Sequence, residues 1–162
     1  MTRNEPKTPL QCALKYLAFR SRTESEVHQK LVASGFSEEE ARSALTELKS
    51  HNLLNDESLA SDWTQLKAKE RGYGPLFVER ELLRRGVAMT IIERVLSETF
   101  GEGQEVERAA ELVSRRFEEA DLSDIKTLKR AEALLIRRGY SRSVITAVLA
   151  GNFQEAGVEH SS

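Results

Sequence analysis

The sequence predicts an all-α protein, built from three tandem three-helix repeats that form an elongated, curved solenoid. The first observation behind this fold class is the composition. Apolar residues make up 40% and charged residues 31% of the chain, while three prolines and nine glycines supply few of the turns that a sandwich or barrel needs. The second observation is an internal repeat, in which one pattern of helix, glycine and helix occurs three times.

The repeat is centred on Gly35, Gly86 and Gly139, which are 51 and 53 residues apart. Apolar residues recur in register around each glycine, four residues before it and one, six and ten residues after it. Each glycine is predicted to be the left-handed residue that closes one helix, with the following apolar residue covering the turn. We therefore expect one helix before and another after each glycine.

Local signals place the three helices of the first repeat. Residues 10–17 carry apolar side chains at the i, i+3, i+4, i+7 spacing of an amphipathic helix. Thr23 with Glu26, and Ser37 with Glu40, both have the form of a capping box. These two boxes predict where the second and third helices begin.

The second and third repeats follow the same plan. Apolar residues over 59–66 predict a helix that is broken at Gly72–Pro75, where the proline suits the first position of the next helix. In the third repeat, the pattern predicts helices over 106–117, 125–138 and 141–152.

These signals divide the chain into five segments: a flexible N-terminus (1–9), three repeats (10–55, 56–103 and 104–152) and a flexible tail (153–162). The linkers at 51–55 and 101–104 are short. Since stacked repeats contact mainly their neighbours, we expect an extended face that is available to a partner.

The sequence also bears on the compartment. Cys12 is the single cysteine, so no intrachain disulfide is expected. No stretch approaches the ~20 apolar residues of a membrane span, and residues 1–9 lack the apolar core of a secretory signal. We expect a cytoplasmic monomer without a membrane segment.

The charge is balanced along the whole chain. The 24 basic and 26 acidic residues give a formal charge of −2, and no segment forms a basic tail. Tight binding to naked DNA usually needs a cationic footprint that displaces counterions. The balance therefore favours a protein partner over bare DNA, although a local basic strip remains open.

Catalytic chemistry has no candidate in this sequence. His28, His51 and His160 lack the i, i+4 pairing of a helical zinc site. The glycines of the Gly72–Pro75 segment lack the Lys-Ser/Thr ending of a phosphate-binding loop, and no serine stands in a G-x-S-x-G motif. We expect no enzyme activity, no metal and no cofactor.

Two groups of cations are the candidates for surface recognition. The first group gathers around the break in the second repeat: Lys67, Lys69, Arg71, Arg80, Arg84 and Arg85. The second group lies on the corresponding helix of the third repeat: Lys126, Lys129, Arg130, Arg137 and Arg138. Because equivalent helices carry both groups, we predict a continuous basic strip that binds acidic side chains or phosphates.

Two aromatic residues could anchor a partner beside this strip. Tyr73 lies in the break itself, whereas Trp63 lies on an apolar stripe and is expected to be core. The alternative for the cations is that they solvate helix ends, where the helix dipole favours positive charge.

Several segments together resemble one family, the RecX regulatory proteins. They are RTESEVHQKL at 22–31, HNLLNDESLA at 51–60, KERGYGP at 69–75, ELLRRGV at 81–87 and LLIRRGY at 134–140. The resemblance covers about residues 10–153. The chain departs from the family pattern at Asn55, where an aspartate is usual, and at Leu59, where a phenylalanine is usual.

The resemblance implies three tandem three-helix repeats and a role in DNA repair, recombination and the SOS response. It also implies binding within the groove of the RecA recombinase filament on DNA, which would inhibit ATP hydrolysis and strand exchange. The alternative function is a helical DNA-binding module, because three-helix units can place a helix in the major groove. Weak direct contact with DNA is compatible with either function.

Overall fold

The computed structural model describes residues 8–118, 120 and 122–156, with side chains through residue 150. Within these ranges the structure is all-helical, with nine helices and no strand. The helices are α1 (Pro9–Leu17), α2 (Glu24–Ala33), α3 (Glu38–Ser50), α4 (Asp56–Arg71), α5 (Pro75–Arg84), α6 (Met89–Phe100), α7 (Gln104–Arg116), α8 (Ile125–Arg138) and α9 (Arg142–Ala156).

Side-chain caps define most of the helix starts. The capping boxes predicted at Thr23 and Ser37 are both present, and Thr8 forms another at the start of α1. Asn55 and Asp124 cap α4 and α8 by accepting a backbone N–H of the first turn. Each cap satisfies an N–H that has no partner within its own helix.

The three repeat glycines have the predicted left-handed backbone. Their φ angles are 93° at Gly35, 77° at Gly86 and 80° at Gly139. In each case the N–H of the next residue donates to the carbonyl four residues before the glycine, as in a helix C-cap. Gly72, with φ of 64°, closes α4 in the same left-handed conformation.

The core consists of three clusters of buried side chains, and each cluster belongs to three consecutive helices. We call these groups the first triplet (α1–α3), the second triplet (α4–α6) and the third triplet (α7–α9). Leu31, Leu82 and Leu135, which hold the same register before the repeat glycine, are fully buried in the three clusters. Each triplet thus buries its own apolar stripes.

The first junction joins the first and second triplets. The Thr23 hydroxyl donates to the Arg85 carbonyl at 2.6 Å, and the Arg85 guanidinium pairs with Glu26 at 3.0 Å. The start of α2 therefore lies on the turn between α5 and α6.

The second junction joins the second and third triplets. The N–H groups of Gly74 and Leu76 donate to the carbonyls of Arg138 and Gly139, at 2.7 and 3.0 Å. The start of α5 thus lies on the turn between α8 and α9. The two junctions use equivalent positions of the repeat.

Two expected segment ends differ from the structure. The first helix begins at Pro9, one residue earlier than expected, because Thr8 caps it. The last helix continues to Ala156, whereas the flexible tail was expected from residue 153. Gln154, Glu155 and Ala156 are good helix formers, which extend the helix past Gly151 and Asn152. The rest of both expected flexible ends, 1–7 and 157–162, lies outside the described residues.

Candidate partner-binding surface

Three aromatic rings and three cations come together where the second and third triplets meet. We call this group the aromatic–cation cluster: Trp63, Tyr73, Phe77, Lys67, Arg80 and Arg138. Its members come from α4, α5, α8 and the turn between α4 and α5. Five members belong to the second triplet, and the second junction adds Arg138 by bringing the end of α8 next to that turn.

The break after α4 positions the rings. Gly72 ends α4 in a left-handed conformation and Pro75 begins α5, so Tyr73 stands in the short segment between the two helices. The Tyr73 and Phe77 rings stack with centroids 3.8 Å apart, and the Trp63 and Phe77 centroids are 6.4 Å apart. Such stacking contributes about 0.5–1.5 kcal/mol per pair beyond area burial.

The cations lie over these rings. The Lys67 ammonium is 5.3 Å from the Trp63 centroid, and the Arg80 guanidinium is 5.5 Å from that of Phe77. The Arg138 guanidinium is 4.7 Å from the Tyr73 centroid. Since Phe77 stacks on one face of Tyr73, Arg138 covers the other, and a ligand ring cannot insert at Tyr73.

Two arginines of α5 are accessible charges near the cluster. The side chains of Arg80 and Arg84 are 69% and 70% exposed. Arg84 donates two hydrogen bonds to Glu81, at 2.9 and 3.2 Å, and this bonding raises the pKa of Arg84. Val78 and Leu82, on the opposite face of α5, are fully buried.

Arg85 has a different environment from its neighbour Arg84. Its side chain is only 12% exposed, and the guanidinium donates to Glu26 at 3.0 and 3.2 Å and to the Ser21 carbonyl at 3.1 Å. All three contacts lie in the first junction. Arg85 thus joins two triplets, whereas Arg84 points to solvent.

Arg138 also contributes to a junction. Besides covering Tyr73, its guanidinium donates to the Arg71 carbonyl. The Arg71 side chain is exposed at the end of α4, as is Lys69. This corner consequently combines one cation fixed in the second junction with two that are free to meet a partner.

The remaining predicted cations lie along α8. Lys126, Lys129, Arg130 and Arg137 are all exposed, and the Arg130 guanidinium is 5.8 Å from the Phe117 centroid. Arg130 and Arg137 are seven residues apart and so share a helix face, about 10 Å from each other along the axis. Arg138 is the cation of this helix that contacts the aromatic–cation cluster, through its position over Tyr73.

An open cavity of about 490 Å³ adjoins the cluster on the side of the first triplet. Trp63 and Lys67 belong to both the cavity wall and the cluster, and Arg20, Asp62 and Arg84 also line the cavity. Trp63, which was expected to be core, is half-buried and borders this space. The wall is of mixed charge, which suits a polar protein surface better than an apolar small molecule.

Phe77 is the cluster member that sequence reasoning did not single out. Its position four residues after Tyr73, across a glycine-proline turn, is a signal that could have found it. The contact between Arg138 and Tyr73 has no such local signal, because the two residues are 65 positions apart in the chain. That contact depends on tertiary structure.

Neither a metal site nor a membrane span is found in the described part of the chain. No group of three or more His, Cys, Asp or Glu residues there could hold a metal ion. No helix in the ranges described is both long and apolar enough to cross a bilayer.

Family models match two of the triplets. The model described as the first three-helix domain of RecX matches residues 10–48, and the model of the second three-helix domain matches residues 55–96. These matches fall on the first and second triplets.

Similar proteins match over most of the chain. Regulatory protein RecX of Stenotrophomonas maltophilia (strain K279a) is 34% identical over 138 residues, which cover 85% of this chain and 83% of that one. Regulatory protein RecX of Trichlorobacter lovleyi is 33% identical over 144 residues, covering 88% and 94%.

A solved structure has the same fold. The crystal structure of RecX from Lactobacillus salivarius superposes with a TM-score of 0.74 at 20% identity, over 90% of this chain and 95% of that one. Together with the two domain matches and the relatives above 30% identity, this fold likeness leads to one conclusion. The chain belongs to the RecX family of regulatory proteins.

Proposed function

We propose that this RecX-family protein binds the RecA recombinase filament on DNA, within the groove of the filament, and inhibits its ATPase and strand-exchange activities. It would act in the cytoplasm as a monomer, in DNA repair, recombination and the SOS response. The observation that carries this proposal is the aromatic–cation cluster with the exposed Arg80 and Arg84 beside it. We propose that the three triplets form an elongated, curved solenoid that presents this surface.

The proposed mechanism rests on the two junctions. Hydrogen bonds at both junctions hold the triplets in fixed relative positions, so contacts made by different triplets act together. A semi-rigid chain that spans adjacent recombinase protomers gains affinity by linking several weak contacts. It would inhibit by favouring one arrangement of the protomers and opposing the movements that ATP hydrolysis requires.

The proposed contact residues are the accessible members of the predicted strip. They are Lys67, Lys69, Arg71, Tyr73, Arg80, Arg84, Lys126, Lys129, Arg130 and Arg137, with Arg138 holding Tyr73 in place. Arg85 is left out because its guanidinium is committed to Glu26 and Ser21. The partner groups that would fit are carboxylates and phosphates.

Direct DNA binding is the second candidate, since cations combined with aromatic rings are typical of proteins that bind single strands. The geometry disfavours base stacking on Tyr73, because Phe77 and Arg138 cover its two faces. What remains for DNA is contact with phosphates. Such binding should be weak and should fall steeply as salt is raised.

Titration of the protein into a recombinase ATPase assay on single-stranded DNA tests the proposal. We expect inhibition that saturates near the stoichiometry of filament binding. A parallel measurement on DNA without recombinase, at the same moderate salt, separates the two candidates. Equal and steeply salt-dependent binding to bare DNA would support the DNA-binding module instead.

Charge reversal at Arg80→Glu with Arg84→Glu tests the surface. We expect the double variant to need about tenfold more protein for half-inhibition at low salt, because two attractions become repulsions. The difference should shrink as salt rises. A melting curve checks that the fold is intact.

A matched control reverses Arg42 and Arg115, which are exposed and also form weak ion pairs on helix surfaces. This control should inhibit with wild-type potency. If the Arg80/Arg84 variant does so too, those arginines are not in the interface, and Lys126, Lys129 and Arg130 become the next residues to reverse.

A further inference from the structure

An open groove lies beside the turn between α2 and α3 in the first triplet. We call it the Gly35 groove; it measures about 570 Å³ and is lined by Cys12, Lys15, Tyr16, Phe19, Lys30 and Phe36. The Phe19 side chain is 87% exposed. Phe19, Tyr16 and Phe36 give this groove an aromatic wall, and clustered apolar surface of this kind is typical of a binding site.

The equivalent positions in the other two triplets are filled. A Cβ added to Gly86 would be 2.4 Å from the Ser25 side chain, and one added to Gly139 would be 2.4 Å from the Phe77 nitrogen. At Gly35, no atom of the described residues lies within 4 Å of such a Cβ. Each filled position holds the first turn of a helix from the preceding triplet, and the first triplet has no described triplet before it.

The residue after each repeat glycine is also less buried in the first triplet than in the other two. Val87 and Tyr140 are buried, with exposed fractions of 3% and 2%. Phe36, in the corresponding position, is only half-buried. The first triplet therefore keeps an acceptor surface whose counterparts are covered elsewhere in the chain.

The two junctions differ in the chemistry of the seated segment: the start of α5 at the second junction has no acidic residue in its first turn, whereas the first junction holds an acidic one. The segment seated on Gly86 is the first turn of α2, whose acidic residues are Glu24 and Glu26. Glu26 pairs there with Arg85, the residue directly before the glycine. A helix start favours acidic side chains, and a cation on the acceptor favours them further.

The Gly35 groove has the matching charge. The charged side chains that line it are those of Lys15 and Lys30, and the Lys30 ammonium lies 5.8 Å from the Tyr16 centroid. Two cations beside the exposed Phe19 ring and the half-buried Tyr16 and Phe36 rings fit an acidic segment that also carries an apolar anchor.

A second copy of this chain is the less suitable occupant. By analogy with the two junctions, it would present the start of α8, which carries Lys126, Lys129 and Arg130. These cations would meet Lys15 and Lys30, and like charges across an interface disfavour association.

We propose that the Gly35 groove binds the acidic first turn of a helix from another protein, with Phe19 and Phe36 contacting its apolar side chains and Lys15 and Lys30 its carboxylates. The groove lies on the first triplet and shares no lining residue with the aromatic–cation cluster. Its occupancy can therefore be tested without the recombinase.

The probe is a stapled helical peptide that begins Thr-Glu-Ser-Glu-Val, the sequence of residues 23–27, followed by an alanine-rich helix. Fluorescence anisotropy measures its binding to the full-length protein. The rate of Cys12 alkylation gives a second readout, because the thiol lines the groove and should be protected when it is filled. A control peptide carries lysine in place of both glutamates and should bind at least about tenfold more weakly.

Two variants separate the two parts of the interaction. Phe19→Ser should weaken peptide binding about tenfold without changing the melting temperature, since the ring is exposed. Lys15→Glu with Lys30→Glu should abolish the preference for the acidic peptide and give a preference for the lysine peptide. Ile136→Ser, a change at another exposed apolar residue, is the matched control and should bind like wild type.

Three results would overturn the proposal. One is failure of the acidic peptide to bind or to protect Cys12 at concentrations up to about 1 mM. Another is equal binding of both peptides to the wild type. The third is self-association in sedimentation experiments that Phe19→Ser removes, because the occupant would then be a second copy.

Discussion

The first and second junctions hold neighbouring triplets at equivalent positions but by different interactions. At the first junction, side chains carry the contacts: Arg85 pairs with Glu26, the Thr23 hydroxyl donates to the Arg85 carbonyl, and Asp56 accepts the Glu24 N–H at 2.9 Å. At the second junction, the backbone N–H groups of Gly74 and Leu76 donate to backbone carbonyls. Neighbouring triplets are thus joined at equivalent positions mainly by side-chain interactions in one junction and mainly by backbone hydrogen bonds in the other.

Because of this difference, the stability of the two junctions should depend differently on pH and on salt concentration. Ionisable side chains make the first junction dependent on pH, and partly exposed ion pairs weaken with salt. The second junction also holds the Arg138 guanidinium and the Tyr140 hydroxyl, but both donate to backbone carbonyls and neither pairs there with a carboxylate. Since its other contacts are backbone hydrogen bonds and stacked rings, the second junction should respond less to pH and salt than the first. The surface proposed to bind the recombinase is built on this second, less responsive junction.

The largest expected effect comes from adding a methyl group at the repeat glycines. All three have positive φ, so alanine costs about 1 kcal/mol of stability at each from backbone strain alone. At Gly139 the Cβ would also collide with the Phe77 backbone, which cannot move aside without opening the second junction. We expect Gly139→Ala to lower the free energy of unfolding by about 3 kcal/mol.

Gly35→Ala is the matched control, because it has the strain without the collision. Gly86→Ala should fall between the two or match Gly139→Ala, since its Cβ would meet the Ser25 side chain. Urea unfolding of the three variants gives the ranking. Equal losses at Gly35 and Gly139 would show that the second junction is not packed as described.

These glycines also show how far the sequence alone could lead. Their left-handed conformation and the helices on either side depend on nearby residues. A capping box such as that of Thr23 and Glu26 can likewise be recognised from four consecutive residues of sequence. What the glycines contact could not be predicted, because Gly139 meets Phe77 and Gly86 meets Ser25 across about 60 residues of chain.

The candidate site was predictable to the same extent. The cations were visible as clusters of charge, and the exposure of Arg80 and Arg84 followed from the apolar positions of α5. Sequence could not separate Arg84 from Arg85, because the difference between them is the position of Glu26 in another triplet. The spacing of residues along a helix predicts which of them share a face. It does not predict which face a neighbouring triplet covers.

That pair of arginines offers the second test. Arg85→Ala removes two hydrogen bonds to Glu26 and leaves this mostly buried carboxylate with only the Thr23 N–H at 2.8 Å and the Arg20 guanidinium at 3.9 Å, so we expect a loss of about 2 kcal/mol. Arg84→Ala removes a surface pair and should leave the unfolding midpoint unchanged. If Arg84→Ala is as costly as Arg85→Ala, the first junction is not the reason that Arg85 matters.

The pH dependence of Glu26 gives a smaller effect. Burial alone would raise its pKa, but the hydrogen bonds from Arg85 and the Thr23 N–H outweigh burial, and the pKa is lowered from its ordinary value of 4.5. A lowered folded pKa means that Glu26 stabilises the fold above pH 4.5, and that this contribution is lost as the pH falls through the folded pKa.

Glu26→Gln should therefore cost about 1 kcal/mol at pH 7 and less as the pH falls below about 4.5. Urea unfolding of wild type and variant at a series of pH values measures the difference. A cost that stays constant down to pH 3 would mean that the charge of Glu26 does not contribute to the first junction.

Asp56 offers the smallest and most discriminating test, because its pKa shifts in the opposite direction. The residue is only 8% exposed, and burial raises its pKa from 3.8 even though the Glu24 N–H stabilises the charged form. Asp56 is also the first residue of α4, where the helix dipole favours a negative charge. The raised pKa indicates that desolvation, assisted by repulsion from the Glu24 carboxylate, outweighs the favourable terms.

A raised folded pKa means that ionised Asp56 destabilises the fold at neutral pH, and that this penalty disappears as the pH falls through the folded pKa. Asp56→Asn keeps an oxygen that can accept the Glu24 N–H but removes the charge. We expect it to raise the free energy of unfolding at pH 7 by about 0.5 kcal/mol, with the gain shrinking in acid. Asp62→Asn, at an exposed position on the same helix, is the control and should have no effect. A lower unfolding midpoint for Asp56→Asn would contradict this prediction. It would mean that attraction to Lys49 and Arg85 exceeds the burial penalty, and that ionised Asp56 stabilises the first junction.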